Sequence, residues 1–335
     1  MSKIDVLSVG GIVTDTFIRL VEDQATTAED TEGNQTITMP FGVKIPFEYA
    51  EDVIAVGNAA NAAVSFARLG LDSALHANLG NDQAGRDMLA YLEKSKVDTR
   101  LMKIHPKKAS NHHYVLWHKE ERTILVHDEA YTYHWPHLRP DEMPQWIYFT
   151  SMGEDSEKFH DELAEWLGRH EDVKLAFQPG TFQIKMGAKR LAEIYKQADV
   201  LAVNREEAVL ITGGVHENLN ELFDKLHALG SKTVVISDGH DGAYASDGTR
   251  RLKMPIYPDP SPPYERTGAG DAFTSTFVAA LIHGADIEGA LQWGPINSMS
   301  VVQHLGAQKG LLTEAQLSRL LQHSPKWYRA TPLEK

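Results

Sequence analysis

Cysteine is absent from the 335-residue chain, which removes disulfides and thiolate metal sites. Long apolar runs are missing too: no window approaches the ~18 continuous apolar residues of a membrane span. The opening MSKIDVLSVGG is too short and too mixed for a secretory leader. Basic residues are in deficit, 33 against 46 acidic ones, a formal net charge of -13. A general nucleic-acid partner, which needs a basic face, is therefore disfavoured. Phosphorylated ligands are not, because phosphate sites are built from local N–H groups and one or two cations. There is no GxxxxGK[ST], so a P-loop is excluded, and no GxGxxG after the first strand, which weakens a dinucleotide reading. What remains is the expectation of a soluble, cytoplasmic protein. Its length suits one large α/β domain or two modest ones.

The order of patterns points to the architecture. IDVLSVGG (4–11) is a short apolar run ending in a glycine pair, a buried strand delivered to a tight turn. Residues 14–20 and 36–47 read as exposed strands around the acidic stretch VEDQATTAEDTEGNQ, expected as a mobile loop. A helix is predicted over 57–69, a strand over 73–79, and an amphipathic helix over 82–95 with Met88, Leu89 and Leu92 inward. Strand-like pieces at 111–117 and 122–127 are joined by the charged turn HKEE. From Gln145 onward strands and helices alternate, which argues for a mostly parallel sheet covered on both faces. The early strand pairs do not fit that alternation. They divide the chain into a body of residues 1–11, 51–98 and 128–335 and a small β element made of 12–50 and 99–127.

ERTGAGDAFTSTF (265–277) places Gly-Ala-Gly directly before an acid and begins an apolar run at once. Glycine disfavours helices and aspartate favours their first turn, so a helix starts near Gly270 and Asp271. Phe273, Phe277, Ala280 and Leu281 follow at helical spacing, and Gly284 is a stop. Such a turn presents unpaired N–H groups from a helix N-terminus, which attract anions. Asp271 would repel a resting phosphate there. The conflict suits a carboxylate that acts chemically beside a group becoming more negative, although a plain helix cap would use the same residue.

Other glycine-rich segments are GG (10–11), GNAAN (57–61), LGNDQAG (79–85) and SDGHDGA (237–243). With GAGD (268–271), in this order and spacing, they make the chain resemble the ribokinase family of carbohydrate kinases, also called the PfkB family. TGAGDAF (267–273) is similar to the C-terminal signature D-T-x-G-A-G-D-x-F, and VGNAANAAVSFARLG (56–70) to the N-terminal G-G-x-x-x-N-x-A. Asp15, ERTIL (121–125) and VNREE (203–207) add support, and the resemblance spans nearly the whole length. It implies an α/β fold, a ribokinase-like three-layer sandwich with a mostly parallel sheet, plus a small β lid where the odd strand pairs fall. A homodimer through the lid is a further implication.

The resemblance assigns roles to residues. Asp271 would be the general base that takes the proton of a substrate hydroxyl. Gly268, Ala269 and Gly270 would form the anion hole for the transferring phosphoryl group. Asp15, Gly57, Asn58, Asn61 and Gln178 would bind the sugar; Asp15 also fits an Asx turn, and Asn61 a buried helix amide. Asn204 and Glu207 would arrange Mg2+ and ATP phosphates, mainly through water, while the same spacing fits a helix cap with a capping-box acid. Ser237, Gly239 and Gly242 would hold nucleotide phosphates on a segment that also fits a hairpin turn. Asn297 is the polar candidate for the adenine pocket.

This chain departs from the family pattern in places. Glu265-Arg266 replaces the Asp-Thr that opens the C-terminal signature, which puts a monovalent-cation requirement in doubt. Val56 replaces the first glycine of the N-terminal pair, Gln178 stands where many sugar kinases carry aspartate, and Pro295 where many relatives carry asparagine. The histidines at 112, 113, 118, 127, 134 and 137 crowd one region without metal-ligand spacing and read as lid and surface residues, His113 or Tyr114 being the pair to touch substrate. The expected activity is ATP-dependent phosphorylation of a sugar hydroxyl. A nucleoside kinase, a catalytically silent sugar sensor and a dinucleotide oxidoreductase stand as alternatives, in that order.

Overall fold

In the computed structural model the described residues are 3–31, 35–119 and 121–333. The start of the N-terminal segment, residues 32–34 near the end of the acidic stretch, Glu120 of the HKEE turn and the last two residues lie outside them. The body is built on a nine-stranded sheet. Ser73–His76, Val6–Val9, Trp146–Phe149, Lys174–Phe177, Ala198–Asn204 and Thr233–Ser237 lie side by side and parallel. Ala243–Ser246, Arg251–Met254 and Thr331–Pro332 continue it antiparallel at one edge.

The parallel strands read as near-continuous apolar runs because helices cover both faces. Alternate side chains separate the two cores. Ile147 and Phe149 pack toward the helices Glu157–Gly168 and Leu219–Ala228, while Trp146 and Tyr148 pack toward Asn58–Arg68 and Ala269–Ile282. The helix Ala269–Ile282 is buried along most of its length rather than on one stripe, so its apolar residues are not confined to one face, as expected of a helix enclosed by protein. Three layers result.

A second sheet of four strands stands apart, in the order Glu121–Leu125, His112–His118, Val13–Leu20, Phe47–Val56. Phe17, Val115 and Trp117 form its own small core and close on Leu305 of the body. Two boundaries expected for this lid shift. Phe47–Val56 runs unbroken past position 51 up to Gly57, which caps the helix Asn58–Arg68. Lys103–His105 pairs with Asn78–Gly80 in the body and not with the lid.

The acidic stretch also differs from its expected loop. Thr26–Glu29 pairs antiparallel with Gln35–Thr38, where facing threonines supply β-branched cross-strand pairs that apolar periodicity cannot reveal. The short helix Thr181–Met186 was likewise not foreseen. No helix among the described residues is long and apolar enough to cross a membrane.

Phe277 is fully buried between the central helix and the sheet. Phe277→Ala is expected to lower stability by about 3–5 kcal/mol, measured as a reduced urea midpoint with an unchanged slope.

Candidate active site

Two helix N-termini meet above the sheet. Gly268 caps the helix Ala269–Ile282 in the left-handed region, with φ 80°, and a Cβ built there would sit 2.2 Å from that of Ala307. Only glycine fits both demands. Asp271, in the first turn, is buried beneath the opposing helix Asn58–Arg68. Asn58 Nδ2 donates to Asp271 Oδ1 and Asn61 Nδ2 to Oδ2, each at 2.8 Å, and Gln178 Nε2 lies 3.4 Å from Oδ1. Deeper between the helices, the Ser275 hydroxyl donates to that of Ser65 at 2.8 Å. Burial pushes the Asp271 carboxyl above its ordinary range, and the amides of Asn61, Asn58 and Gln178 only partly oppose it.

The expected sugar-binding set divides here. Asn58, Asn61 and Gln178 hold the carboxylate of Asp271. Asn58 and Asn61 still line the adjoining cavity, whereas Gln178 does not; its oxygen accepts from the Tyr148 hydroxyl behind the acid. A carboxamide carries a donor and an acceptor, so the spacing alone did not say which group each would meet.

The turn at 268–271 is a wall between two cavities. On one side a cavity of about 870 Å³ is lined by Ser237, Gly239, Gly242, Arg266, Ala269 and Gly270. On the other a cavity of about 640 Å³ is lined by Asp15, Gly57, Asn61, His113, Gly268 and Asp271. The second continues, past Val13, Gly57, Asn58 and His113, into a space of about 610 Å³.

SDGHDG is both a hairpin turn and cavity wall. It joins the antiparallel strands Thr233–Ser237 and Ala243–Ser246, and Arg205 anchors it by donating to Asp238 at 2.6 Å. Asn204 and Glu207 cap the helix Arg205–Thr212 reciprocally: the Glu207 N–H donates to Asn204 Oδ1 at 2.7 Å and the Asn204 N–H to Glu207 Oε2 at 2.9 Å. Neither lines the two cavities. Burial raises the Glu207 carboxyl, the Asn204 N–H opposes this, and the charge of Asp271 adds to the rise.

Asn297 does not reach the larger cavity. It is fully buried, donating to Thr276 Oγ1 at 2.7 Å and accepting from the Leu312 N–H at 2.9 Å. Pro295, Ser298, Met299 and Val302 occupy the helix face that looks into the cavity, and the helical period turns position 297 toward the core.

The lid adds charged groups. His113 stands between two acids, Nδ1 3.5 Å from Asp15 and Nε2 3.1 Å from Asp128. Burial alone would lower its pKa, but the bonds and charges of Asp128 and Asp15 outweigh it and raise it to about 9. The other lid candidate, Tyr114, faces solvent. Asp15 is buried, and its Oδ1 has no hydrogen-bond partner among the described residues. Arg122 Nη1 reaches Glu265 Oε1 at 3.3 Å, and the same oxygen accepts from the Thr267 N–H at 2.7 Å and hydroxyl at 2.5 Å. Sequence reasoning gave no site role to Asp128, Arg122 or Tyr148, which lie on separate strands or loops; of the three only Arg122 falls in a quoted motif, ERTIL.

A family model described as pfkB family carbohydrate kinase matches residues 53–314. The 5-dehydro-2-deoxygluconokinase of Bacillus velezensis is 27% identical over 295 residues, 80% of this chain and 86% of that protein. The structure of Arabidopsis thaliana ribokinase complexed with ribose and ATP is similar at TM-score 0.78 and 19% identity, over 96% of this chain and 99% of that one. The nucleoside kinase of Methanocaldococcus jannaschii, an archaeal member of the ribokinase family, is similar at TM-score 0.78 and 17% identity, over 96% and 100%. These structures share the three-layer fold.

Two outcomes are expected from this geometry. A Cβ added at Gly270 meets no atom within 4 Å, so Gly270→Ala should leave thermal stability unchanged or slightly raised while its methyl group obstructs the larger cavity. A drop in nucleotide affinity without a drop in Tm checks this. Protonated His113 stabilises the fold fully below its ordinary value of 6.5, and that contribution is lost as pH rises through about 9. Denaturation at pH 7 and pH 10 should show a pH-dependent loss that is smaller in His113→Gln.

Proposed function

The chain belongs to the pfkB family of carbohydrate kinases, and from that premise we propose that it transfers the γ-phosphoryl group of ATP to a sugar hydroxyl, with Asp271 as general base. The observation that carries this reading is the wall between the cavities. Gly270 faces the larger one and Asp271 the smaller, so one turn touches both spaces.

In this mechanism ATP occupies the cavity of about 870 Å³, its terminal phosphate toward the N–H groups of Gly268, Ala269 and Gly270. The acceptor lies in the cavity beside Asp271. Its hydroxyl oxygen attacks the γ-phosphorus as its proton passes to the Asp271 carboxylate, and ADP leaves. The raised proton affinity of the buried carboxyl makes it the better base. The backbone N–H groups stabilise charge that develops on the transferring group, and their fixed positions avoid reorganisation during the step. Arg266, with Nη2 3.2 Å from His240 Nε2, adds a fixed positive charge to the nucleotide cavity.

Mg2+ bound with the nucleotide would supply charge neutralisation on the β- and γ-phosphates. Among the described residues no group of three or more acids and histidines could hold a metal, which fits an ion carried by phosphates and water. Glu207, the expected carboxylate for such a water, caps its own helix and lines neither cavity, so it would reach the ion only through intervening water. A monovalent cation fits less well. Glu265 Oε2 has no partner among the described residues, yet Arg122 already balances this carboxylate. A further cation would meet a neutral pair.

A nucleoside acceptor is a second reading, favoured by Tyr131, Tyr133 and Phe182 in the far part of the acceptor cavity, where they can cover a second ring. Asp271→Asn should lower kcat by roughly 10²–10⁴-fold while ATP binding persists; equal turnover would remove the base assignment. Replacing potassium with sodium should leave both the rate and the Tm unchanged, and potassium dependence should appear in Arg122→Met.

A further inference from the structure

The acceptor cavity has an unusual charge inventory. The residues lining its two connected parts include Asp15, Asp128, Asp271 and His113, and neither lysine nor arginine. The imidazole is not available to an anion, because Nδ1 faces Asp15 at 3.5 Å and Nε2 faces Asp128 at 3.1 Å. The nearby cations are engaged elsewhere: Arg122 with Glu265, Arg19 with the Lys119 carbonyl, and Lys108 with Glu129.

The remaining polar atoms suit hydroxyl groups. Asp15 Oδ1 is buried, and its ion pair with His113 Nδ1 is long at 3.5 Å, so it can also accept from a ligand hydroxyl. Asn78 Oδ1 lies 2.8 Å from His105 Nε2, and Asn111 Oδ1 accepts from the Glu129 N–H at 2.8 Å. Their oxygens being occupied, these side chains offer amide N–H donors to the cavity. A hydroxyl can both donate to the acid and accept from an amide, whereas a carboxylate or phosphate only accepts.

We infer that the acceptor is an uncharged polyhydroxylated molecule, a free sugar, polyol or nucleoside, and that this chain rejects sugar acids and sugar phosphates. The inference rests on the acceptor-site reading of the cavity given above. An anionic substituent would lose its water among three carboxyl groups and find no free cation to replace it. The chain thus parts from its Bacillus velezensis relative, whose name specifies a sugar acid.

Calorimetric binding to the full chain, with a non-hydrolysable ATP analogue present, tests this separately from catalysis. The panel pairs free sugars, polyols and nucleosides with their acids or phosphates: D-glucitol with D-gluconate, D-fructose with D-fructose 6-phosphate, cytidine with cytidine 3′-monophosphate. The uncharged member of the binding pair should be favoured by roughly 100-fold. Asp128→Asn, which releases one imidazole nitrogen, should narrow that ratio about tenfold. Equal or tighter binding of the charged members overturns the inference, as does binding by none of the panel at millimolar concentration or an unchanged ratio in Asp128→Asn. ADP release is followed in parallel. If the uncharged members bind but no phosphoryl group is transferred, the kinase reading fails and the charge selectivity stands.

Discussion

A carboxylate kept away from water and held by carboxamides instead of cations is the constraint on which the rest of the structure depends. Asp271 sits where two helices begin, and Asn58 and Asn61 reach it from the opposing one. An arginine in their place would hold the acid ionised and make it a poor proton acceptor. Neutral amides fix its orientation while burial keeps its proton affinity high. The arrangement demands close helix packing, which the alanines of Asn58–Arg68 and the Ser65–Ser275 contact allow. It also demands a glycine at 268, because the backbone there turns against Ala307.

The lid is tied to the same place by charge. Its strands carry Asp15, His113 and Arg122, and the last two pair with Asp128 and Glu265 outside the lid sheet. Glu265 also binds the Thr267 N–H and hydroxyl, so the lid is linked to the turn that begins the central helix. Its apolar core meets Leu305, close to Gly306 and Ala307 of the acceptor cavity. The four-stranded sheet, the cavity beside Asp271 and the turn at 268–271 are therefore one mechanically connected unit. The cavity beside Asp271 is acidic and the one beside Gly270 carries Arg266, a division that suits the proposed pairing of an uncharged acceptor with an anionic donor.

Much of the framework was legible from pattern. Runs such as WIYF and TVVIS gave buried parallel strands, and Gly270 with Asp271 announced a helix start that falls at Ala269. The separate four-stranded sheet was visible as strands that broke the alternation. Its limits were not, since strand Phe47–Val56 crosses from lid to body without any local signal. Strand Thr26–Glu29 and its pairing with Gln35–Thr38 escaped for a related reason: polar strands pair through backbone and threonine contacts and leave no apolar period.

Local chemistry in the sequence determined the element types, the family signature and the identity of the turn, because helix starts, buried strands and tight backbone approach each require particular residues within a few positions. It could not determine which polar partners meet. Asn58 and Gln178 are far apart in the chain yet donate to one acid, and His113 finds its two carboxylates on different segments. Those encounters follow from helix packing and strand register, and they decide whether an amide binds a ligand or a base. Only the tertiary structure could therefore show that burial and three amides surround Asp271, and that no lysine or arginine among the described residues lines the cavity beside it.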